Sequence, residues 1–140
     1  MTNIKRSAYK QHGAVAAEPD SDSAWWWEAL SAGNFLLPYC QGTEQYFFPP
    51  MPRSPYNGST AVTARDASTG GSIYSWIVIE RALDEAFVED VPYTIVAVTM
   101  DDGPRLFGRL MAGVPADGSR VEAQTYAVEG QTLLGFASAP

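Results

Sequence analysis

The sequence predicts a mainly β protein, with a short N-terminal helix, a small hairpin subdomain and a closed or partly open barrel of five or six strands. Three observations predict this class. Runs of β-branched and aromatic residues fill residues 61–140 and alternate with strong turn residues, as in antiparallel β structure. No convincing amphipathic helix separates those runs. The composition, 46% hydrophobic and 18% charged over 140 residues, is typical of one domain with a buried core.

The N-terminal part is predicted to form a tail and then a helix. Residues 1–20 are polar and rich in alanine and glycine without an apolar period, so we expect a flexible tail. Residues 21–34 are expected to hold a helix over about residues 22–32, capped by Ser21 or Ser23. Gly33 would end it, because glycine readily adopts the left-handed conformation that follows a helix.

The remaining residues divide into an irregular part and a regular part. Residues 35–60 mix prolines, aromatics and turn signals, and we expect a small subdomain built on hairpins. From residue 61 onward, six strands are predicted, over residues 61–66, 71–81, 91–100, 105–114, 121–128 and 131–138. The Asp101-Asp102-Gly103 segment is expected to form a hairpin turn rather than an acid–base pair.

The charge balance excludes several classes of partner. The chain has a net charge of −7, and from residue 21 onward six arginines stand against fourteen acids. Nucleic-acid affinity rests mainly on neutralising phosphates, so nucleic acid is not an expected partner. No apolar stretch is long enough for a membrane span, the N-terminus does not resemble a secretory signal, and one cysteine excludes an internal disulfide. We therefore expect a cytoplasmic protein that contacts neither membrane nor nucleic acid.

The residues offer little for catalysis. Cys40 is the single cysteine and His12 the single histidine, and His12 falls in the predicted tail, so a Cys–His pair is not expected. Carboxylates flank the loop around residues 86–88, which is interpreted as a solvated acidic loop; the alternatives are a patch for a basic partner and an active site. These carboxylates are Glu80, Asp84, Glu85, Glu89 and Asp90.

Three consecutive tryptophans stand in the predicted helix. Successive helical side chains are about 100° apart, so Trp25, Trp26 and Trp27 cannot all face one core. With Leu30 marking the buried stripe, Trp26 and Trp27 turn inward and Trp25 points elsewhere. Either the neighbouring subdomain covers all three, or Trp25 is an aromatic anchor that is buried in another chain; we favour the anchor.

Together these residues resemble a known family, the rubredoxin-like zinc-ribbon plus OB-fold proteins found beside thiolase-like enzymes of acyl-CoA metabolism. The resemblance runs from about Asp22 to the C-terminus. It rests on the order and spacing of several segments: Trp26-Trp27-Glu28-Ala29-Leu30, Leu37 with Cys40, Phe48-Pro49-Pro50, Asn57-Gly58-Ser59, Gly71-Ser72-Ile73-Tyr74-Ser75-Trp76, Val91-Pro92-Tyr93 and Asp102-Gly103-Pro104-Arg105-Leu106-Phe107-Gly108. It implies that residues 35–60 are a ribbon and residues 61–140 an OB-fold barrel.

The family's ribbon holds zinc with two C-x-x-C pairs, and this chain departs from that pattern. The matching positions are Cys40, Thr43, Ser54 and Asn57, of which one is a thiol. Neutral hydroxyls and amides are poor ligands for zinc. We therefore expect a degenerate ribbon without metal and no other cofactor, with aromatic packing where the family has zinc.

The resemblance implies a non-catalytic accessory subunit. Its partner would be a thiolase-like or lipid-transfer-protein-like enzyme acting on CoA thioesters, such as a thiolase, synthase or retro-aldolase, including those of sterol side-chain degradation. The alternative partner is an enoyl-CoA hydratase. Trp25, Trp26, Trp27 and Tyr93 are the candidate interface residues.

Arg105 and Arg109 are the candidates for contact with a CoA phosphate, the simpler interpretation being two strand arginines that face water. Two other functions are kept open. One is a stand-alone OB-type module that stacks single-stranded nucleic acid on Tyr74, Trp76, Tyr93 and Phe107. The other is an enzyme that uses Glu85 or Glu89.

Overall fold

The fold combines a barrel with a small separate sheet and one short helix. A computed structural model describes residues 3–139; residues 1 and 2 of the predicted tail and residue 140 of the predicted barrel lie outside the described residues. The elements in chain order are β1 (Lys5–Arg6), α1 (Ala24–Ser31), β2 (Leu36–Cys40), β3 (Gln45–Tyr46), β4 (Val62–Asp66), β5 (Gly70–Ile79), β6 (Tyr93–Met100), β7 (Arg105–Ala112), β8 (Arg120–Val128) and β9 (Gln131–Ser138). A 3₁₀ helix, Glu85–Phe87, lies between β5 and β6.

Strands β5 to β9 form the barrel, with the hydrogen-bonded order β8-β5-β6-β7-β9 closed by a further pairing of β8 with β9. All neighbouring pairs in this ring are antiparallel except β7 and β9. Its interior is filled by side chains that are essentially inaccessible to solvent, among them Val96, Val98, Leu106, Val121 and Phe136. The mainly β class and the OB-like barrel are confirmed, and the predicted strand limits agree within two residues.

The first predicted barrel strand belongs elsewhere. β4 pairs along its whole length with β2, from Leu36 opposite Asp66 to Cys40 opposite Val62, and forms a three-stranded sheet with the order β3-β2-β4. β4 consists mainly of exposed polar residues, so it has no apolar face that could fill a barrel. The strand predicted as the first of the barrel therefore lies in the small sheet, which extends to Asp66.

The N-terminal segment is not the structureless tail that the composition predicts. β1 runs parallel to β8, with Lys5 opposite Gln124, and an isolated bridge joins Asn3 to Asn34. Ile4 is 6% exposed and belongs to the hydrophobic core. An isolated apolar residue such as Ile4 produces no hydrophobic period in the sequence, and the period is what the prediction of a flexible tail relied on.

Helix α1 is shorter than predicted but ends where expected. Ser23 occupies the N-cap position, yet its hydroxyl accepts from the Asp20 N–H instead of capping the helix. The Asp20 carboxylate accepts from the amides of Asp22 and Ser23, and the hydrogen bonds with Ser23 are the main reason that its pKa is lowered. At the other end Gly33 has φ +83°, and the Asn34 N–H donates to the Ala29 carbonyl at 2.9 Å. This is the glycine-terminated Schellman geometry.

Candidate functional site

A cavity of about 440 Å³ lies where the helix, the segment after β3, the N-terminal segment and the barrel meet. Its walls are mainly apolar and aromatic, and include Trp27, Phe48, Phe87, Ile95, Phe107 and Leu134. Ligand pockets in proteins are typically of this size and are lined by apolar side chains with a few placed polar groups. The cavity is therefore the candidate binding site of the chain.

The cation at this cavity is Arg109, which is 5% exposed. Its Nη1 forms an ion pair with Asp90 Oδ2 at 3.6 Å, and both side chains are 5% exposed. The guanidinium lies 3.8 Å from the centroid of the Tyr93 ring, and Nη1 donates to the Tyr9 hydroxyl at 3.4 Å. The interpretation of Arg109 as a strand arginine that faces water is wrong, and its guanidinium is already engaged by this chain.

The N-terminal segment forms one wall of the cavity through polar contacts. The Tyr126 hydroxyl donates to Gln11 Oε1 at 2.8 Å, the Tyr9 ring packs edge-on against Tyr126, and the His12 N–H donates to the Asp90 carboxylate. Burial raises the pKa of Tyr126 to about 12, so it stays a neutral hydroxyl donor at physiological pH. These contacts hold residues 9–12 against the barrel.

The three tryptophans occupy three environments. Trp26 is 6% exposed, packs edge-on against Trp27 and Phe48, and belongs to the core. Its indole N–H is buried and has no hydrogen-bond partner among the described residues. Trp27 is half-buried and lines the cavity, whereas Trp25 is half-buried beside Met51 on another surface. The inward orientation predicted for Trp26 matches the structure, but Trp25 also packs against the core instead of pointing freely outward.

The other candidates for partner or CoA contact differ in accessibility. Tyr93 is partly covered by Phe87 and Arg109. Arg105 is exposed, its guanidinium lies 3.5 Å from the Tyr74 ring centroid, and its Nε donates to Thr99 Oγ1 at 3.3 Å. Of the two arginines, Arg105 is the one open to a ligand from solvent.

One exposed apolar surface is larger than the sequence predicts, because it includes Ile77 and Val78 beside the aromatic residues considered for stacking. On β5, Tyr74, Trp76, Ile77 and Val78 are between 39% and 59% exposed, and Phe107 on β7 is 69% exposed. The signal was present in the sequence, because IYSWIVI carries apolar residues on both faces of a strand without a covering element to match.

Three of the four positions that match the family's zinc ligands meet at Cys40. The thiol is fully buried, and hydrogen bonds from the side chains of Ser54 and Thr43 lower its pKa to about 7. The fourth, Asn57, lies beside the turn that follows, since a Cβ added at Gly42 would lie 2.7 Å from its Nδ2. One sulfur with two hydroxyls and an amide does not fit zinc. No group of three or more His, Cys, Asp or Glu suited to a metal occurs in residues 3–139, and the absence of zinc stays a prediction.

The residues considered for catalysis have other partners. His12 lies beside Glu89, with Nδ1 3.4 Å from Oε2, while Cys40 is enclosed in the small sheet. Asp84 accepts from the Ala86 N–H at the start of the 3₁₀ helix, and Asp90 is paired with Arg109. Glu80, Glu85 and Glu89 are exposed.

Comparisons with known proteins agree with this architecture. Residues 64–125 match the C-terminal OB-fold domain of ChsH2. A chain of the Ltp2-ChsH2(DUF35) aldolase superposes with a TM-score of 0.79 at 26% identity, covering 89% of this chain and 100% of that one. A DUF35-family protein of unknown function from Sulfolobus solfataricus has the same fold, with a TM-score of 0.60 at 13% identity over 85% of this chain and 86% of its own.

A curated relative adds a sequence similarity. A protein described as a probable enoyl-CoA hydratase alpha subunit, from Thermomonospora curvata, is 30% identical over 115 residues, which are 82% of this chain and 34% of that protein. This chain thus spans about a third of the length of that relative. No helix in the described part of this chain is long and apolar enough to cross a membrane. The match over residues 64–125 and the likeness to the ChsH2(DUF35) chain support a relationship between the barrel of this protein and the ChsH2-type OB-fold domains.

Proposed function

We propose that this chain is a non-catalytic accessory subunit of an enzyme that acts on acyl-CoA thioesters, with the reaction carried out by a partner. The observation that carries the proposal is the likeness to a chain of the Ltp2-ChsH2(DUF35) aldolase, which extends over the whole of that chain and 89% of this one. The curated relative, described as a hydratase subunit, supports the same class of thioester chemistry.

The chemistry of the described residues supports a non-catalytic role. A nucleophile needs a base within hydrogen-bond reach, and Cys40 and His12 are engaged in separate places. The buried Asp90 is neutralised by Arg109, and the exposed carboxylates lie on a loop without an enclosing pocket of acid–base groups.

The partner we propose is a thiolase-like or lipid-transfer-protein-like enzyme that makes or breaks a carbon–carbon bond next to a thioester. An enoyl-CoA hydratase is the second candidate, and the similarity to the Thermomonospora curvata protein favours it. A stand-alone binder of single-stranded nucleic acid is a weaker candidate, because the net charge is −7 and Tyr74 and Tyr93 each stack against an arginine.

The cavity suits the acyl part of a thioester shared with the partner. Its wall is aromatic and aliphatic, and its cation, Arg109, is already paired, so a phosphate has no free charge to meet there. Arg105 is exposed and precedes Phe107, a residue of the cavity wall, by two positions on the same strand. It is therefore the candidate contact for a CoA phosphate.

Co-expression with a thiolase-like enzyme, and separately with an enoyl-CoA hydratase, tests the proposal. We expect a stable complex with one of them at micromolar concentration, turnover of acyl-CoA by that complex, and none by this chain alone. The identity of the enzyme that co-elutes separates the two partner classes. Separate elution from both enzymes, or turnover by the isolated chain, would refute the proposal; salt-sensitive binding of an oligonucleotide would favour the nucleic-acid alternative.

A further inference from the structure

The second half of β5 is a sheet edge that this chain leaves unpaired. β5 pairs with β8 only at Gly70–Ser72, and Ile73 makes the last backbone contacts on that side, with Ser119 and Gly118. Residues 74–79 continue beside β6 as far as Ile79 opposite Tyr93. Within residues 3–139, no strand covers their other edge. At about 3.3 Å per residue, this edge is roughly 20 Å long.

After a β-bulge at Tyr74, residues 75–79 of this edge carry none of the charges or prolines that protect edge strands in soluble proteins. Natural edges carry lysine, proline or inward charges, which prevent pairing with other chains. Here the segment is Tyr-Ser-Trp-Ile-Val-Ile, without a charge, and both faces are open, with Ile77 59% and Val78 50% exposed. An exposed apolar patch of this kind marks a protein contact site.

The edge is continuous with the wall of the cavity. Residues directly opposite each other in neighbouring strands point to the same side of a sheet. Ile77 lies opposite Ile95, which lies opposite Arg109, and the latter two line the cavity. In the next row Ala97 lies opposite Phe107, which is 69% exposed and also lines the cavity. A chain that covers this edge on the side of Ile77 would therefore reach the cavity.

The charges next to this edge favour a partner that differs from this chain. The loop after β5 carries four exposed carboxylates, on Glu80, Asp84, Glu85 and Glu89, against one exposed arginine, Arg81. A second copy would bring another net charge of −7, whereas a surface with lysines and arginines would be attracted.

We propose that Tyr74, Trp76, Ile77, Val78 and Phe107 form a docking surface, hereafter the β5 surface, for a different protein subunit. That subunit presents an apolar strand or groove with lysines and arginines at its rim, which meet the acidic loop. The inference rests on the proposed function for the identity of the subunit, the acyl-CoA enzyme that co-elutes with this chain.

Substitutions on the β5 surface test the inference in the full chain, with the dissociation constant of the complex as the readout. We expect Ile77→Asp and Phe107→Asp each to weaken association by about 30-fold or more, as for buried interface anchors. Val114→Asp is the matched control, because Val114 is 83% exposed, apolar and outside the β5 surface, and we expect less than about 3-fold change. Circular dichroism establishes that each variant is folded, and Ile77→Thr replaces any aspartate variant that is not.

A second arm tests the charges. Glu85→Lys with Glu89→Lys should slow association about tenfold at low salt and less at high salt, with little change in the dissociation rate. Association as tight as in the wild type for both β5 variants overturns the docking surface but leaves the proposed function intact. Failure of the wild-type chain to bind either enzyme overturns the proposed function, and the docking proposal with it. Concentration-dependent self-association that Ile77→Asp abolishes would show that a second copy occupies the surface, and would also overturn the proposal.

Discussion

Two sides of the same barrel differ in what covers them. On one side the N-terminal segment, the helix and the loop after β3 pack against the sheet, and Ile4, Trp26 and Leu30 are nearly inaccessible to solvent. On the other side the second half of β5 has no covering element, and Ile77 and Val78 remain open.

Apolar composition alone therefore does not show where the core of this protein ends. Both sides are rich in branched and aromatic residues, but only on the covered side are these side chains buried by other parts of the chain. Burial of such side chains stabilises by about 1.5–3 kcal/mol each, so an uncovered set keeps that free energy available for association. Substitutions on the covered side should therefore affect folding, and those on the uncovered side should affect binding.

The largest effect is expected at Trp26 on the covered side. Trp26→Ala should lower the free energy of unfolding by about 4 kcal/mol, because the ring is buried against Trp27 and Phe48. Trp25→Ala should cost about half as much, since that ring is only half-buried. Urea denaturation measures both free energies. Equal losses for the two variants would contradict the prediction that Trp26 contributes more to stability than Trp25.

The buried ion pair should have the next largest effect. Arg109→Leu leaves the Asp90 carboxylate, 5% exposed, without its charge partner and should cost about 3 kcal/mol of stability. The double variant Arg109→Leu with Asp90→Leu should cost less than the two single variants added together. Denaturation of all three variants gives the coupling free energy of the pair, and strict additivity would show that the two charges do not stabilise each other in the folded chain.

The Cys40 thiol should make stability depend on pH. The pKa of the thiol is about 7 in the folded chain, against an ordinary value of 9.0. Ionisation of the thiol therefore stabilises the folded state fully above pH 9, and this contribution is lost as the pH falls through 7. The free energy of unfolding of the wild type, relative to that of Cys40→Ser, should thus decrease as the pH is lowered from about 9 to about 7. Urea titrations under reducing conditions measure it; a relative stability that rises as pH falls has the wrong sign.

On the uncovered side the effect on folding should be small. Ile77→Thr keeps a β-branched side chain at an exposed position and should change the free energy of unfolding by less than about 0.5 kcal/mol. A matched Ile4→Thr on the covered side should cost about 1 to 3 kcal/mol. Similar values at both positions would remove the distinction between the two sides.

Removal of metal should have no effect. The cluster at Cys40 has one sulfur and neutral oxygen and nitrogen donors, so a chelator should leave the thermal midpoint unchanged. Elemental analysis should find well under one zinc per chain. One tightly bound equivalent would refute the expected loss of metal.

The sequence predicts local features of this fold better than it predicts what packs on the barrel. Strands β5 to β9 and the end of the helix at Gly33 follow from turn residues and β-branched runs, which act over a few neighbours. The placement of β4 in the small sheet depends on pairing with β2, far along the chain, and no local pattern encodes it.

The candidate site depends even more on distant contacts. Arg109 and Asp90 are 19 positions apart, and the Tyr9 hydroxyl that accepts from Arg109 comes from the predicted tail. The residues that match the family's zinc positions were found from the resemblance, because their order and spacing are local. Ile77 and Val78 of the β5 surface were not predicted to be exposed, since the exposure of an apolar strand depends on what does not pack against it.

Hydrogen–deuterium exchange of this chain, free and in complex with the enzyme that co-elutes with it, tests whether a partner completes the side of the barrel that this chain leaves open. We expect the amides of residues 74–79 that face away from β6 to exchange rapidly in the free chain and to be strongly protected in the complex. The amides of the N-terminal segment should change little, since this chain already covers that side. Unchanged exchange at residues 74–79 in a complex that protects another surface would contradict the claim.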